Sequence, residues 1–251
     1  MINVPNSTLL KVNFRCKGGQ EALQGSSCIV YISVGQPYHE GEKFIATMDL
    51  VNKTFSKCYI VVCDTLQRHT LQMFDASLTK EEAYRKAFLK GQAWVARNKK
   101  AYQFMSTEIV VSHWDEWLHH PSYINSYHEV LNFYQNNASF QHAIDETTHN
   151  FLKRQRKEND KKAFALSKQY LLEEYPILIP LWATTGAKYM VYPKKRTSAL
   201  QQLHQHFIEE KGLGLLNEVT LKFDVKRNQR DLSFSKINVT GFYDSSSVYV
   251  I

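Results

Sequence analysis

Short apolar runs along the chain predict the strands of a buried sheet. Residues 28–34, 59–63 and 109–111 are nearly all apolar, which is typical of parallel strands covered on both faces. Residues 189–192 predict a further strand, and residues 9–14 alternate apolar and polar positions as a half-buried strand does. We therefore expect a sheet whose inner strands are covered on both sides.

Helical periodicity fills the intervals between these runs. The predicted helices span about 41–52, 66–75, 79–100, most of 115–175, and 196–210. Strands that alternate with helices are typical of a parallel sheet with right-handed crossovers. We therefore expect an α/β fold with a Rossmann-like parallel sheet and an added helical layer, in a single domain over residues 1–251. The end of the chain, 218–251, predicts strand or irregular structure.

Composition limits the class of protein. Hydrophobic residues make up 43% and charged residues 22% of the 251 positions, which favours a packed core over disorder. No apolar run approaches the ~20 residues of a membrane span, and the first ten residues lack a secretory-signal pattern. We therefore expect a cytoplasmic protein with no membrane partner. The cysteines form no C-x-x-C pair and the histidines lack metal-binding spacing, so we expect reduced core cysteines and no metal.

The net charge of +7 is concentrated in two segments. Segments 79–100 and 151–170 each contain seven basic and two acidic residues, and concentrated positive charge favours a polyanionic partner. Thr79 and Glu82 form a capping-box pattern at the start of the first segment. Four basic side chains there fall within about 80° of one another around the helix axis: Lys86, Lys90, Arg97 and Lys100. This basic stripe is either a phosphate-binding surface or an ordinary solvated face.

Two further positions are candidates for chemistry. Ser33 ends the apolar run 28–34, and open α/β sheets present reacting groups at the carboxyl ends of their strands. A serine in such a place can also simply cap the next helix. Tyr170 and Glu174 are four residues apart and share a helix face. Pro176 predicts that this helix ends near Glu174. Glu174 is then either a functional group, as a general base or a ligand for an ammonium group, or a surface carboxylate.

These elements together resemble the tRNA-dependent cyclodipeptide synthases. Residues 32–35 read I-S-V-G after a buried strand, residues 170–176 match the family's Y-[LVI]-x-x-E-x-P element in full, and Tyr192 lies beyond it. Order, spacing and chain length also match. The resemblance covers about residues 25–210, so residues 212–251 lie outside it.

The family's serine motif, H-x-x-x-G-[LVI]-S-x-x-N-S, is altered in this chain. The His, Gly, Asn and last Ser of the motif are replaced by Ser27, Tyr31, Gln36 and Pro37. These departures, together with the pair Tyr192-Pro193, resemble the subfamily called XYP. Gln36 has the same amide as the usual Asn on a longer side chain, which leaves its role open.

The resemblance implies a fold like the catalytic domain of class I aminoacyl-tRNA synthetases, without ATP or another cofactor. It implies that two aminoacyl-tRNAs per turnover are joined into a diketopiperazine through an aminoacyl ester on Ser33. Tyr170 and Glu174 would hold and deprotonate the aminoacyl ammonium, and Tyr192 would relay a proton. A non-catalytic RNA binder and a serine esterase remain the alternatives.

Two sets of binding residues follow from these expectations. Chain neighbours of Ser33, Glu174 and Tyr192 are mostly apolar, which favours an uncharged aminoacyl side chain in a pocket. The predicted pocket residues are Ile29, Tyr31, Gly35, Ile177, Met190 and Pro193. The predicted tRNA-binding residues are Lys86, Lys90, Arg97, Lys100, Lys153, Arg154, Arg156 and Lys157.

Overall fold

A computed structural model describes residues 10–16, 21–211 and 217–225 of the chain. Its six strands form one sheet in the order β1-β6-β5-β2-β3-β4. All neighbouring strands pair in parallel except β1, which is antiparallel to β6. The strands are β1 (Leu10–Arg15), β2 (Ser27–Ile32), β3 (Lys57–Val62), β4 (Glu108–His113), β5 (Tyr189–Tyr192) and β6 (Asn217–Val225). The predicted α/β fold with a mainly parallel sheet is confirmed.

Helices cover both faces of this sheet. Successive residues of β2 alternate between two cores: Ile29 packs on one side, and Val30 and Ile32 pack on the other. The helices are α1 (Gly41–Thr54), α2 (Arg68–Phe74), α3 (Lys80–Asn98), α4 (Trp114–Leu118), α5 (Tyr123–Asn136), α6 (Ala138–Arg154), α7 (Lys161–Thr185) and α8 (Ser198–Lys211). Residues from α1 and α3 join the core that contains Val30, whereas residues from α4 to α8 join the core that contains Ile29.

Helix α7 corrects one sequence prediction. The expected helix end near Glu174 is wrong, because α7 continues through Pro176 to Thr185. A proline inside a helix removes one backbone hydrogen bond and costs about 3 kcal/mol. Tyr175 and Ile177 on either side are at most 1% exposed, and each large apolar side chain buried this way contributes about 1.5–3 kcal/mol. Packing therefore outweighs the local preference, and Glu174 lies inside a helix.

The structure also refines the predictions for two further segments. The segment 151–170 is not one helix, because α6 ends at Arg154 and α7 begins at Lys161. Arg156 between them has a positive φ of 55°, a conformation that breaks the helical path. Of the predicted segment 218–251, only β6 is described, and the rest lies outside the described residues. Within the described residues no helix is both long and apolar enough to cross a membrane.

Candidate active site

Ser33 and Tyr192 come together at the carboxyl ends of adjacent strands. Ser33 lies one residue beyond β2, Tyr192 is the last residue of β5, and the two strands are parallel neighbours. The Oγ atom of Ser33 lies 3.0 Å from the Oη atom of Tyr192. The Oη atom of Tyr38 lies 3.2 Å from the same Tyr192 atom. Three hydroxyl groups thus form a continuous chain that begins at the candidate nucleophile.

The segment that follows Ser33 folds back onto it. Gly35 has a φ of 84°, which glycine adopts without steric penalty, and a 3₁₀ turn over Pro37–His39 follows. The backbone N–H of Gln36 donates to the carbonyl of Ser33 at 3.1 Å. The backbone N–H of Ser33 donates to Nδ1 of His39 at 2.9 Å. Gln36 is also buried. Its backbone bond to Ser33 places it beside the candidate nucleophile, and the role of its side chain stays open.

Glu174 and Tyr170 approach the same place from helix α7. Burial raises the pKa of the Glu174 carboxyl to about 8. Burial also raises the pKa of Tyr170, and the charges of Glu174, Cys63 and Tyr192 raise it further. Glu174, Cys63 and Tyr192 line one cavity, whereas Tyr170 is 1% exposed and does not belong to the described wall of that cavity. A carboxyl with this pKa is mostly protonated at pH 7 and half-protonated near pH 8, which suits it to exchange a proton with an amine.

A cavity of about 320 Å³ opens beside Ser33, Glu174 and Tyr192. Its inner wall is mainly apolar and includes Tyr31, Leu171 and Met190, whereas the outer wall is charged. The charged and polar residues on this outer wall are Glu146, Thr147, Asn150, Arg154, Lys194, Lys195, Arg196, Thr197 and Ser198. The sequence analysis placed Arg154 among tRNA-binding residues and gave no role to the others.

Two of the six predicted pocket residues belong to the described wall of the main cavity. Tyr31 and Met190 line the main cavity. Ile29 and Ile177 are fully buried in the core and lie behind the cavity wall. Gly35 lines a second cavity of about 220 Å³ instead. Pro193 is half-buried and does not belong to the described wall of either cavity. Chain proximity was a poor guide, because Ile29 is on the same face of the sheet as Tyr31 and Met190 and yet lies in the core instead of on the cavity wall.

An ionic cluster, missed by the sequence analysis, holds the buried Glu173 carboxylate next to Glu174 in α7. Arg68 donates two hydrogen bonds to the Glu173 carboxylate, at 2.8 Å to Oε1 and at a shorter distance to Oε2. Nε2 of His69 lies 3.1 Å from Oε2, and the indole N–H of Trp114 donates to Oε1 at 3.3 Å. Burial alone would raise the pKa of Glu173, but the bonds to His69 and Arg68 outweigh it and lower the pKa.

The basic stripe on α3 is exposed, as a phosphate-binding surface must be. Lys86, Lys90, Arg97 and Lys100 all lie on the solvent side. Arg97, however, forms a double hydrogen bond with the carboxylate of Glu40, with a shortest distance of 2.9 Å, so part of its charge is neutralised. Lys90 and Arg97 border the second cavity, together with Gly35. The stripe therefore begins next to the loop that carries Ser33.

The second basic cluster lies at the turn between α6 and α7. Lys153, Arg154 and Arg156 are exposed, and Lys157 is half-buried with its Nζ atom 3.6 Å from Asp160. Because Arg154 also lines the main cavity, this cluster adjoins the cavity from the side opposite to β2. Among the described residues no group of three or more His, Cys, Asp or Glu side chains could hold a metal ion.

Fold and site together define a class of protein. The mainly parallel sheet, with Ser33 and Tyr192 at the carboxyl ends of adjacent strands beside a cavity, defines an α/β protein with a candidate active site at that edge of the sheet. The chain belongs to the cyclodipeptide synthase family, whose family model matches residues 18–205. Its enzyme class is therefore that of the aminoacyl-tRNA-dependent cyclodipeptide synthases.

Solved structures agree with this assignment. A cyclodipeptide synthase from Fluoribacter dumoffii is 34% identical, with a TM-score of 0.79, over 86% of this chain and 98% of the other. The synthase from Candidatus Glomeribacter gigasporarum, solved bound to Phe-tRNA, is 21% identical, with a TM-score of 0.63, and the match covers 90% of this chain and 96% of the other. A Mycobacterium tuberculosis protein, described as relating cyclodipeptide synthetases to type I tRNA synthetases, is 14% identical, with a TM-score of 0.65, over 85% and 94%. No curated protein matches the chain by sequence.

Proposed function

We propose that this cyclodipeptide synthase works through an aminoacyl ester on Ser33 and takes both amino acids from aminoacyl-tRNAs. The observation that carries the proposal is the position of the Ser33 hydroxyl. It lies on the cavity wall, 3.0 Å from the Tyr192 hydroxyl, in the same cavity as a carboxyl whose pKa is about 8. A nucleophile, a proton relay and a base thus face one space.

In the first step Ser33 Oγ attacks the ester carbonyl of an aminoacyl-tRNA. The C–O bond to the terminal ribose breaks, and the ribose hydroxyl takes the proton that Ser33 loses. Tyr192 can carry this proton because a phenol both accepts and donates. The ester is already activated, so the step requires no further energy source. A buried tyrosine with a raised pKa stays neutral throughout and can therefore act only as a relay.

In the second step the amine of the Ser33-bound residue must become a nucleophile. A free α-ammonium has a pKa of about 7.7–8.0, close to the value of about 8 for Glu174. Matched pKa values allow the carboxylate to take the proton with little free-energy penalty. The released amine attacks the ester of a second aminoacyl-tRNA, the C–O bond to its ribose breaks, and the ribose oxygen takes a further proton from the amine. The second tRNA leaves, and a dipeptide remains on Ser33.

In the last step the ring closes. The amine of the newly added residue attacks the Ser33 ester, the C–Oγ bond breaks, and Oγ recovers a proton through Tyr192. The product is a diketopiperazine, and the serine is free again. The cavity of about 320 Å³ falls within the usual ~300–1,000 Å³ range of small-molecule sites and suits a dipeptide. The basic cluster between α6 and α7 adjoins it through Arg154, and the basic stripe borders the second cavity beside Gly35, so both offer contacts to the phosphates of a tRNA acceptor end.

The test uses Ser33→Ala with a matched control. Ser198→Ala removes another serine hydroxyl from the wall of the same cavity. Cells that express each variant are assayed for diketopiperazines by mass spectrometry, and purified proteins are incubated with bulk tRNA charged with radiolabelled amino acids. We expect product and protein-bound label from the parent and Ser198→Ala, and neither from Ser33→Ala. Product from Ser33→Ala would exclude the covalent mechanism, and label without cyclic product from the parent would favour an esterase.

A further inference from the structure

The backbone N–H of Ser33 bonds to an imidazole ring. Ser33 lies one residue past the end of β2, and its N–H donates to Nδ1 of His39 at 2.9 Å. His39 is only 1% exposed. A strand-end N–H at such depth needs an acceptor, because a buried unpaired donor is destabilising. The acceptor here is a side chain six residues further along the chain.

The chemistry of this bond fixes the state of the ring. An imidazole nitrogen that accepts a hydrogen bond carries no proton, so His39 is neutral with its proton on Nε2. Burial lowers the pKa of His39 to about 3, which agrees with a neutral ring. Nε2 is buried and has no hydrogen-bond partner among the described residues. The ring therefore makes its only polar contact with the nucleophile's own backbone.

His39 is itself held by the protein core. Its carbonyl accepts a hydrogen bond from the indole N–H of Trp94 at 2.9 Å, and Trp94 is fully buried in α3. Its ring packs edge-on against Tyr38 and Tyr192, with ring centroids 4.6 Å and 5.7 Å away. The His39 ring thus contacts both Tyr38 and Tyr192 and also accepts a hydrogen bond from the backbone of Ser33.

We propose that His39 is a positioning residue of the reaction, whose neutral imidazole holds the Ser33 backbone so that Oγ points at the Tyr192 hydroxyl. This inference rests on the proposed role of Ser33. The Ser33 carbonyl is held by the Gln36 N–H and its N–H by His39, so both peptide groups of the nucleophile are fixed. Loss of one of these two bonds frees the residue to rotate, and a misplacement of about 1 Å can slow a reaction roughly 100-fold.

Two substitutions separate positioning from simple packing. His39→Asn keeps an acceptor, because the Asn Oδ1 occupies nearly the place of Nδ1. His39→Leu fills the site with a similar apolar volume but accepts nothing. If His39 only fills space, Leu is the better replacement for both stability and rate. If His39 positions Ser33, the order of the rates reverses and Asn is the better one.

The measurement is the single-turnover rate of labelling of the full-length protein by bulk aminoacyl-tRNA, alongside thermal unfolding. We expect His39→Leu to label roughly 100-fold more slowly than the parent, and His39→Asn at least about tenfold faster than His39→Leu. A Leu variant that labels as fast as the Asn variant, or as fast as the parent, overturns the proposal. If Ser33→Ala abolishes labelling while His39→Leu does not slow it, only this inference fails and the function stands.

A measurement on the parent protein keeps the test decisive if both variants unfold. Nitrogen NMR of isotope-labelled histidine distinguishes a protonated from an unprotonated Nδ1. We expect an unprotonated Nδ1 with its proton on Nε2, unchanged between about pH 6 and pH 8. A proton on Nδ1 would mean that the Ser33 N–H has no acceptor there, and the proposal would be wrong.

Discussion

Glu173 and Glu174 are neighbours in one helix, yet their carboxyl groups have opposite electrostatic surroundings. Glu173 is held ionised by Arg68 and His69, with a lowered pKa. Glu174 lines the cavity, and burial raises its pKa to about 8. Successive helix residues point about 100° apart, so one carboxylate anchors α7 to α2 while the next remains available for proton transfer.

The first prediction concerns the pH dependence of Glu174. In kcat/KM, which reports the free enzyme, the rate of the parent should rise with pH and level off above about 8, since the base must be ionised. Glu174→Gln should lower the rate by at least ~2 kcal/mol of transition-state stabilisation and keep only the rise that comes from the substrate's own α-ammonium, whose pKa is about 7.7–8.0. The measurement is cyclodipeptide formation across pH, corrected for spontaneous ester hydrolysis. A Gln variant with the parental rate at every pH would assign the base elsewhere.

The same carboxyl predicts a gain in stability for that variant. The folded pKa of about 8 lies above the ordinary value of 4.5, so folding favours the protonated form. As pH rises from about 4.5 to 8, the unfolded chain ionises first and the parent loses stability. Glu174→Gln avoids this loss. Urea unfolding should therefore show the variant to be more stable by up to a few kcal/mol above about pH 8, with little of that gain near pH 4.5. An equal gain at both pH values would contradict the raised pKa.

The second prediction ranks the tyrosines of the hydroxyl chain. Tyr192→Phe removes the group 3.0 Å from Ser33 Oγ and should slow serine acylation by about 10²-fold or more. Tyr38→Phe removes a hydroxyl that bonds to the Tyr192 hydroxyl at 3.2 Å and interacts with Ser33 more weakly than with Tyr192, so its effect should be the smaller one, about tenfold. Tyr189→Phe is the control, because its hydroxyl donates to the carbonyl of Ala22. A larger effect at Tyr38 than at Tyr192 would refute the relay order.

The third prediction tests the basic stripe. Lys86→Ala with Lys90→Ala removes two exposed charges that, unlike Arg97, make no described ion pair with a carboxylate. If both contact phosphates, the slope of log kcat/KM against log salt should become shallower by about 0.7–0.9 per lysine, with the same cyclic products, because phosphate contacts carry little sequence information.

The control for the stripe removes two lysines at the other end of the sheet. Lys53 lies in the last turn of α1 and Lys188 just before β5, both at the amino ends of the parallel strands. Lys53→Ala with Lys188→Ala changes the net charge equally. It should leave the salt slope near the parental value. Equal slopes in both double variants would show that total charge, and not this surface, governs tRNA binding.

The fourth prediction concerns Gly91 in the middle of α3. A Cβ atom there would lie 2.2 Å from Oδ2 of Asp64, and Asp64 is fully buried and bonded to His113 Nδ1 at 2.7 Å. Helix propensity alone would make Gly91→Ala stabilising by about 1 kcal/mol. We expect the opposite sign, a loss of about 1–3 kcal/mol from overpacking. Denaturant midpoints of Gly91→Ala and of the exposed neighbour variant Gln92→Ala measure it, and a stabilised Ala variant would contradict the close contact.

The sheet could be predicted because its strands carry their own signal. Residues 28–32 and 58–62 are apolar at every position, or nearly so, since both faces of β2 and β3 are covered. The helix end at Pro176 was wrong because a local backbone preference competes with burial over the whole of α7, and burial depends on distant parts of the chain. Ser33, Glu174 and Tyr192 were predicted from the motifs that resemble the family. The spacing of those motifs along the chain does not give the distances between the side chains.

Other features of the site have no local sequence signal. Whether His39 reaches Ser33 depends on the path of the chain between them, which the φ of 84° at Gly35 and the following turn determine. Likewise, Arg97 pairs with Glu40 only because α3 packs beside the start of α1. Three-dimensional packing brings the residues of each contact together. The pattern of apolar and polar residues along the chain therefore does not predict these contacts.

The place of β5 in the sheet affects when the protein becomes active during its synthesis. Tyr192 is 159 residues from Ser33 along the chain, and β5 lies between β2 and β6. A ribosome therefore completes β2 long before it makes the strand that brings the partner hydroxyl and one wall of the cavity. Until then the nascent chain holds Ser33 without the Tyr192 hydroxyl beside it. If Ser33 and Tyr192 act as proposed, a chain that consumes aminoacyl-tRNAs cannot begin to do so until most of its own translation, which uses those same molecules, is complete.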